Sequence, residues 1–157
     1  MRICRYCGYA DETDEKFCPI CGEVFTEAHG TNLILHENPF KHIDNMSGEE
    51  FEMFCCQLLY RNGYTGIQKT KISGDHGADI LTEKDGISYA IQCKCYQKPV
   101  GNCAIQEIFT AKSLYRKDIG VLMTNQICTK QAIEEAKSLN IKIWDRKIVS
   151  KMLLFSA

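Results

Sequence analysis

One hairpin carries three side chains of the right kind to act on a phosphodiester. In "ADILTEKDGISYAIQCKC" (residues 78–95) the dipeptide Asp85-Gly86 signals a turn, and Asp-Gly favours the two-residue type I′ connection. Such a turn sets Lys84 opposite Ile87 and, further out, Asp79 opposite Gln92. Directly paired side chains share a face, with Cβ atoms roughly 5 Å apart. Lys94 follows on that face two residues later. A carboxylate and an amide oxygen are hard donors suited to Mg²⁺. An ammonium beside them can orient or deprotonate a water, or stabilise developing negative charge. Ile80, Tyr89, Ile91 and Cys93 occupy the opposite face and read as core. The polar face also fits an ordinary solvated strand, so the convergence of the three groups carries the reading.

The elements that must position this hairpin follow from periodicity. "SGEEFEMFCCQLLYRNG" opens with a capping box, Ser47 and Glu50, and stops at Asn62-Gly63. Phe51, Phe54, Cys55, Leu58 and Leu59 fall on one stripe of that helix. "YTGIQKTKI" predicts a strand and "SGDHG" a loop. After the hairpin, Asn102 caps a helix running to about Lys117, "IGVLMTN" is a buried strand, "TKQAIEEAKSLN" a helix, "IKIWD" a strand and "RKIVSKMLLF" a closing helix. The order αβββαβαβα predicts an α/β domain with a mixed central sheet flanked by helices.

The second domain resembles the Mrr-type restriction endonuclease domain of the PD-(D/E)xK nuclease superfamily. The resemblance rests on "SGEEFEMFCCQLLYRNGY", "GDHGADILTEKDG", "IQCKCYQKPVG", "IQEIFTAK" and "GVLMTN". It implies a restriction-endonuclease-like fold and a Mg²⁺-dependent DNA endonuclease serving restriction, a defence against foreign or modified DNA. Asp79 and Gln92 match the family's metal ligands and Lys94 its catalytic lysine. The family carries Gln where the wider superfamily has Glu, so the site is one negative charge short. Glu52, at the family's "FE" position and at the edge of the apolar stripe, would supply it, since a carboxylate there must be paired or metal-bound to offset its desolvation. Gln106, in a position like the family's "VQE", would support the site or touch DNA, and Asp75 matches a structural Asp. Lys69 and Lys71 alternate out of a strand toward phosphates. His76 reads as a loop residue, and Lys142, Arg146, Lys147 and Lys151 as a mostly solvated face.

The N-terminus is a different kind of segment. "CRYCG" and "CPICG" hold Cys4, Cys7, Cys18 and Cys21 as two knuckles with ten residues between them. Four sulfurs at this spacing suit one tetrahedral zinc, which would supply folding free energy that so short a segment cannot obtain from a core. The expected organisation is a zinc ribbon at 1–28, a connector at 29–46 and the nuclease-like domain at 47–157. Residues 1–46 carry 4 Lys+Arg against 8 Asp+Glu, and residues 47–157 carry 15 against 12. The ribbon therefore suits a structural or protein-contact role, and DNA belongs with the second domain. The other six of the ten cysteines read as reduced thiols. With no apolar run of membrane-helix length and no secretory signal, the expected setting is the cytoplasm. The partners this reading allows are DNA, a second copy of the chain for double-strand cutting, and a protein contact through the ribbon. The alternative is a DNA-binding or protein-interaction module that keeps the nuclease fold without cutting.

Overall fold

The computed structural model describes residues 2–3, 10–11, 39–70 and 77–154. Cys4, Cys7, Cys18, Cys21, Lys71, Asp75 and His76 lie outside the described residues. Two short strands, β1 (Arg2–Ile3) and β2 (Ala10–Asp11), pair antiparallel, with Arg2 opposite Asp11. They bracket the first Cys pair in sequence.

A short helix, α1 (Pro39–Ile43), precedes α2 (Gly48–Arg61). Ser47 caps α2 as the sequence requires: its hydroxyl accepts from the Glu50 N–H, and its own N–H donates to the Glu50 carboxylate. Then come β3 (Thr65–Lys69), β4 (Ile80–Lys84), β5 (Ile87–Lys94), α3 (Asn102–Leu114), β6 (Ile119–Thr124), α4 (Lys130–Leu139), β7 (Lys142–Trp144) and α5 (Arg146–Leu154). The five larger strands form one sheet in the order β3-β4-β5-β6-β7. The first three are antiparallel neighbours, and β5, β6 and β7 run parallel. This is the mixed, helix-flanked sheet expected from the pattern. One cap differs. Gly101, not Asn102, stands at the N-cap of α3, without a side-chain cap bond, and the helix ends at Leu114 where Tyr115 and the left-handed Arg116 turn the chain.

The sheet has a core on each face. On one, Phe51, Cys55, Leu58 and Leu59 of α2 pack with Ile80, Ile91, Val121, Met123 and Val149. On the other, Ala104, Ile105, Ile108 and Ala111 of α3 and Ala132 and Ala136 of α4 pack on Ala90 and Leu122. Residues 39–46, assigned to the connector from sequence, join the first core through Phe40 and Ile43. Behind them Asp44 accepts from Arg146 Nη1 at 2.7 Å and from Asn125 Nδ2 at 3.0 Å. Arg146 also lies over the Phe40 ring, 4.1 Å from its centroid. It is thus a partnered clasp residue, which corrects the solvated face expected for it. Among the described residues no helix is long and apolar enough to cross a membrane.

Candidate active site

The hairpin turn decides the site. Asp85 (φ 54°) and Gly86 (φ 77°) both adopt the left-handed conformation that a type I′ turn demands. The register that follows pairs Lys84 with Ile87, Leu81 with Ala90 and Ile80 with Ile91, the pairing expected from the turn. The ladder ends at Ile80, one residue short of Asp79. There the chain leaves the regular pattern: the Asp79 N–H donates to the Ile91 carbonyl, while its carboxylate accepts from the Cys93 N–H at 2.7 Å. A side-chain oxygen has taken the place of a ladder carbonyl, and this fixes the carboxylate against β5. The Ala78 and Asp79 carbonyls are met instead by Thr70, through its hydroxyl and its N–H.

Gln92 and Lys94 share the face of β5 that turns toward α3. Together with Asp79, Gly77, Gln106, Glu107 and Thr110 they line a cleft of about 660 Å³. Gln92 is only 4% exposed. Its Nε2 donates to Glu107 Oε2, and its Oε1 is buried with no hydrogen-bond partner among the described residues. A buried acceptor left without a donor is costly, by about 1–3 kcal/mol. An oxygen so placed in a polar cleft fits a cation. Lys94 Nζ lies 3.1 Å from the same Glu107 oxygen and 5.9 Å from the centre of the Tyr96 ring. Burial works against the Lys94 ammonium, but Glu107 and Tyr96 outweigh it and hold the pKa above that of an ordinary lysine. Burial likewise raises the Glu107 carboxyl, but the hydrogen bonds from Gln92 and Lys94 outweigh it and keep the group below the usual carboxylate value.

Glu107 was not singled out from sequence, yet it touches both strand residues. A signal was present. It lies three residues after Ala104 and four before Ala111, at the exposed edge of the buried stripe of α3, where the core meets the cleft. Gly77, two residues before Asp79, closes the site from the other side. It has φ +86°, and a Cβ there would stand 2.7 Å from the Glu107 carbonyl oxygen. Gly77 thus rests on the backbone of α3.

The structure brings Asp79, Gln92, Lys94 and Gln106 to one cleft. Gln106 also donates to Glu135 of α4 at 2.8 Å. Glu52 does not line the cleft; its carboxylate pairs with Lys69 of β3 at 3.3 Å. The need for a partner inferred for Glu52 is met by that cation, and Lys69 is correspondingly engaged. Among the described residues no cluster of three His, Cys, Asp or Glu side chains could hold a metal ion. Beside the Glu107 carboxylate, which Gln92 and Lys94 already engage, the oxygen donors in the cleft are the Asp79 carboxylate and the Gln92 amide. That set suits Mg²⁺, which is often held by one or two protein carboxylates, with waters and substrate phosphates filling the remaining positions.

A five-stranded mixed sheet flanked by helices on both faces is the restriction-endonuclease-like fold. Two solved restriction enzymes share the fold. The DNA modification-dependent restriction endonuclease AspBHI matches with a TM-score of 0.57 at 17% identity, over 73% of this chain and 34% of that one. MspJI, solved in complex with a 27-mer oligonucleotide, matches with a TM-score of 0.57 at 17% identity, over 85% and 36%. A protein of unknown function, AF1548, matches at 19% identity with a TM-score of 0.52, over 62% of each chain. This chain thus matches only about a third of the length of either restriction enzyme. Residues 43–153 match the restriction endonuclease family Mrr_cat, and the chain belongs to that family. No curated protein matches the sequence.

Proposed function

We propose that the domain hydrolyses DNA phosphodiesters in the cleft between β5 and α3, with a divalent cation, Mg²⁺ by preference, held by Asp79 and Gln92. The observation that carries this is the buried Gln92 Oε1, which accepts no hydrogen bond from the described residues in a cleft shared with Asp79 and Lys94. When bound, the ion supplies Lewis acidity to a phosphate oxygen and lowers the pKa of a coordinated water. The chain's own residues do the rest. Asp79, fixed by the Cys93 N–H, lines the cleft beside Gln92. Lys94, held as an ammonium, orients the attacking water and meets the charge that grows on the phosphate. Gln106, at the cleft wall, is placed to touch the DNA backbone. Glu52 is left to Lys69 on this reading.

Family membership and the oligonucleotide bound to MspJI support DNA as the substrate. Restriction of foreign or modified DNA, in the cytoplasm, is the biological role this reading assigns. A homodimer would serve double-strand cutting. We further propose that Cys4, Cys7, Cys18 and Cys21 bind one structural zinc, since β1 and β2 bracket the first knuckle as a zinc hairpin requires. The ribbon's acidic surroundings suit a protein contact.

Nicking of supercoiled plasmid, modified and unmodified, with Mg²⁺ and with EDTA, tests the activity. Mg²⁺-dependent nicking that Asp79→Ala abolishes is expected. DNA binding without nicking in Mg²⁺ or Mn²⁺ would instead make the domain a DNA-binding module that keeps the nuclease fold.

A further inference from the structure

Glu107 is the common partner of the site. Its Oε2 accepts from both Gln92 Nε2 and Lys94 Nζ, and its backbone supports Gly77, two residues before Asp79. An amide side chain has two similar ends, and nothing in Gln92 itself decides which end faces the cleft. The neighbour decides it. A carboxylate accepts and does not donate, so Glu107 binds the NH₂ end and leaves the carbonyl end as the unpartnered oxygen.

We propose that Glu107 is a positioning residue that orients the Gln92 amide, so that its oxygen and not its nitrogen meets the cation, while holding Lys94 beside it. This rests on the proposed metal-dependent reading of the cleft. It also assigns the negative charge that Gln92 lacks: the carboxylate is still in the site, moved from the strand to the facing helix. A Glu at position 92 would need no such partner, because both ends of a carboxylate are oxygen donors.

The arrangement makes an exchange experiment decisive. Glu107→Gln keeps the shape but can donate as well as accept, so the Gln92 amide loses its preferred orientation. Loss of a group that orients a metal ligand typically weakens metal affinity roughly 10–100-fold, and that range is expected here. In Gln92→Glu with Glu107→Gln, the new amide donates to one oxygen of the new carboxylate and leaves the other to the cleft. Mg²⁺ affinity should return to within a few-fold of the starting protein. Gln92→Glu alone sets two carboxylates against each other and should melt below the double variant in the absence of metal.

The measurement is Mg²⁺ titration calorimetry on the full chain, with melting curves showing that each variant is folded. A second readout is the side-chain amide resonance of Gln92 in ¹⁵N-labelled protein. It should stay protected from solvent exchange when Mg²⁺ binds and lose that protection in Glu107→Gln. Unchanged Mg²⁺ affinity in Glu107→Gln, or no recovery in the double variant, would overturn the positioning role alone. Loss of Gln92 amide protection on adding Mg²⁺ to the unmodified protein would make Glu107 a ligand instead, and overturn it equally. Absence of any Mg²⁺ binding by the unmodified protein would overturn the metal-dependent reading of the cleft and this proposal with it.

Discussion

Replacing Gly77 by Ala tests the packing that closes the site. The substitution adds one methyl group, and the structure gives two separate costs. At φ +86° any L side chain is strained, which costs about 1–2 kcal/mol. The new Cβ would also stand 2.7 and 2.9 Å from the carbonyl oxygen and carbon of Glu107 and 3.0 Å from its Cβ. Backbone cannot swing aside as a flexible side chain can, so either α3 or the loop must move by several tenths of an ångström. Overpacking of this kind adds about 1–3 kcal/mol. Gly86→Ala supplies the control. Its φ of +77° is similar, but a Cβ there meets nothing within 4 Å. Urea unfolding of the two variants should therefore separate the terms, with Gly77→Ala less stable than Gly86→Ala by about 1–3 kcal/mol. Because α3 carries Glu107, Gly77→Ala should also slow nicking while Gly86→Ala leaves it unchanged. Equal stability losses in the two variants would refute the close approach between Gly77 and α3.

Lys94→Ala should abolish nicking yet leave DNA affinity within roughly tenfold, because it removes one phosphate-facing charge among several; retained nicking in a plasmid assay would dismiss the role given to Lys94. Tyr64 is pushed up to about 12, first by burial and then by Tyr89 and Asp85. The unfolded phenol ionises near the ordinary value of about 10, so this contribution is complete below that pH and lost as pH rises toward the folded value. Tyr64→Phe should consequently flatten the fall in stability between about pH 10 and 12 by an amount on the order of 2 kcal/mol, read from urea unfolding at a series of pH values. Purified protein should contain about one zinc per chain, lost on changing Cys4 and Cys21 to Ser; elemental analysis finding no zinc in native protein would exclude the ribbon.

The sequence made the hairpin legible because a two-residue turn leaves no freedom of register. Once Asp85-Gly86 is the turn, Gln92 and Lys94 must share the face that Asp79 approaches. The order of elements was legible for a similar reason, since each helix carries a distinct apolar stripe or cap. What stayed hidden are contacts set by how elements cross. The helical period places Glu107 at the edge of the α3 stripe, but that it meets Gln92 follows only from how α3 returns across β5. The desolvation argument correctly demanded a partner for Glu52, but whether a metal or Lys69 would provide it depended on where β3 lies beside α2. Arg146 read as solvated because its carboxylate partner, Asp44, is 102 residues away. Asn102 looked like a cap by type, yet a glycine one residue earlier already supplies the extended backbone at which the helix starts.

The clasp around Asp44 bears on where this protein can be cut. A fragment beginning at Ser47, the first cap visible in the sequence, would strip Phe40 and Ile43 from the core and leave Arg146 without its carboxylate. The damage would not stay at the edge. Asn125, fully buried, holds the Tyr96 N–H and carbonyl on one side and Asp44 on the other, and Gln97 donates to the Asp44 carbonyl. Tyr96 and Gln97 directly follow Lys94 and Cys95, and the Cys95 thiol donates to the carbonyls of Ile43 and Met46. The stretch just after β5 is thus moored to residues ahead of the first long helix. A boundary chosen for expression, or for grafting this domain onto another protein, belongs before Pro39; placed later, it would loosen the strand end that carries Lys94.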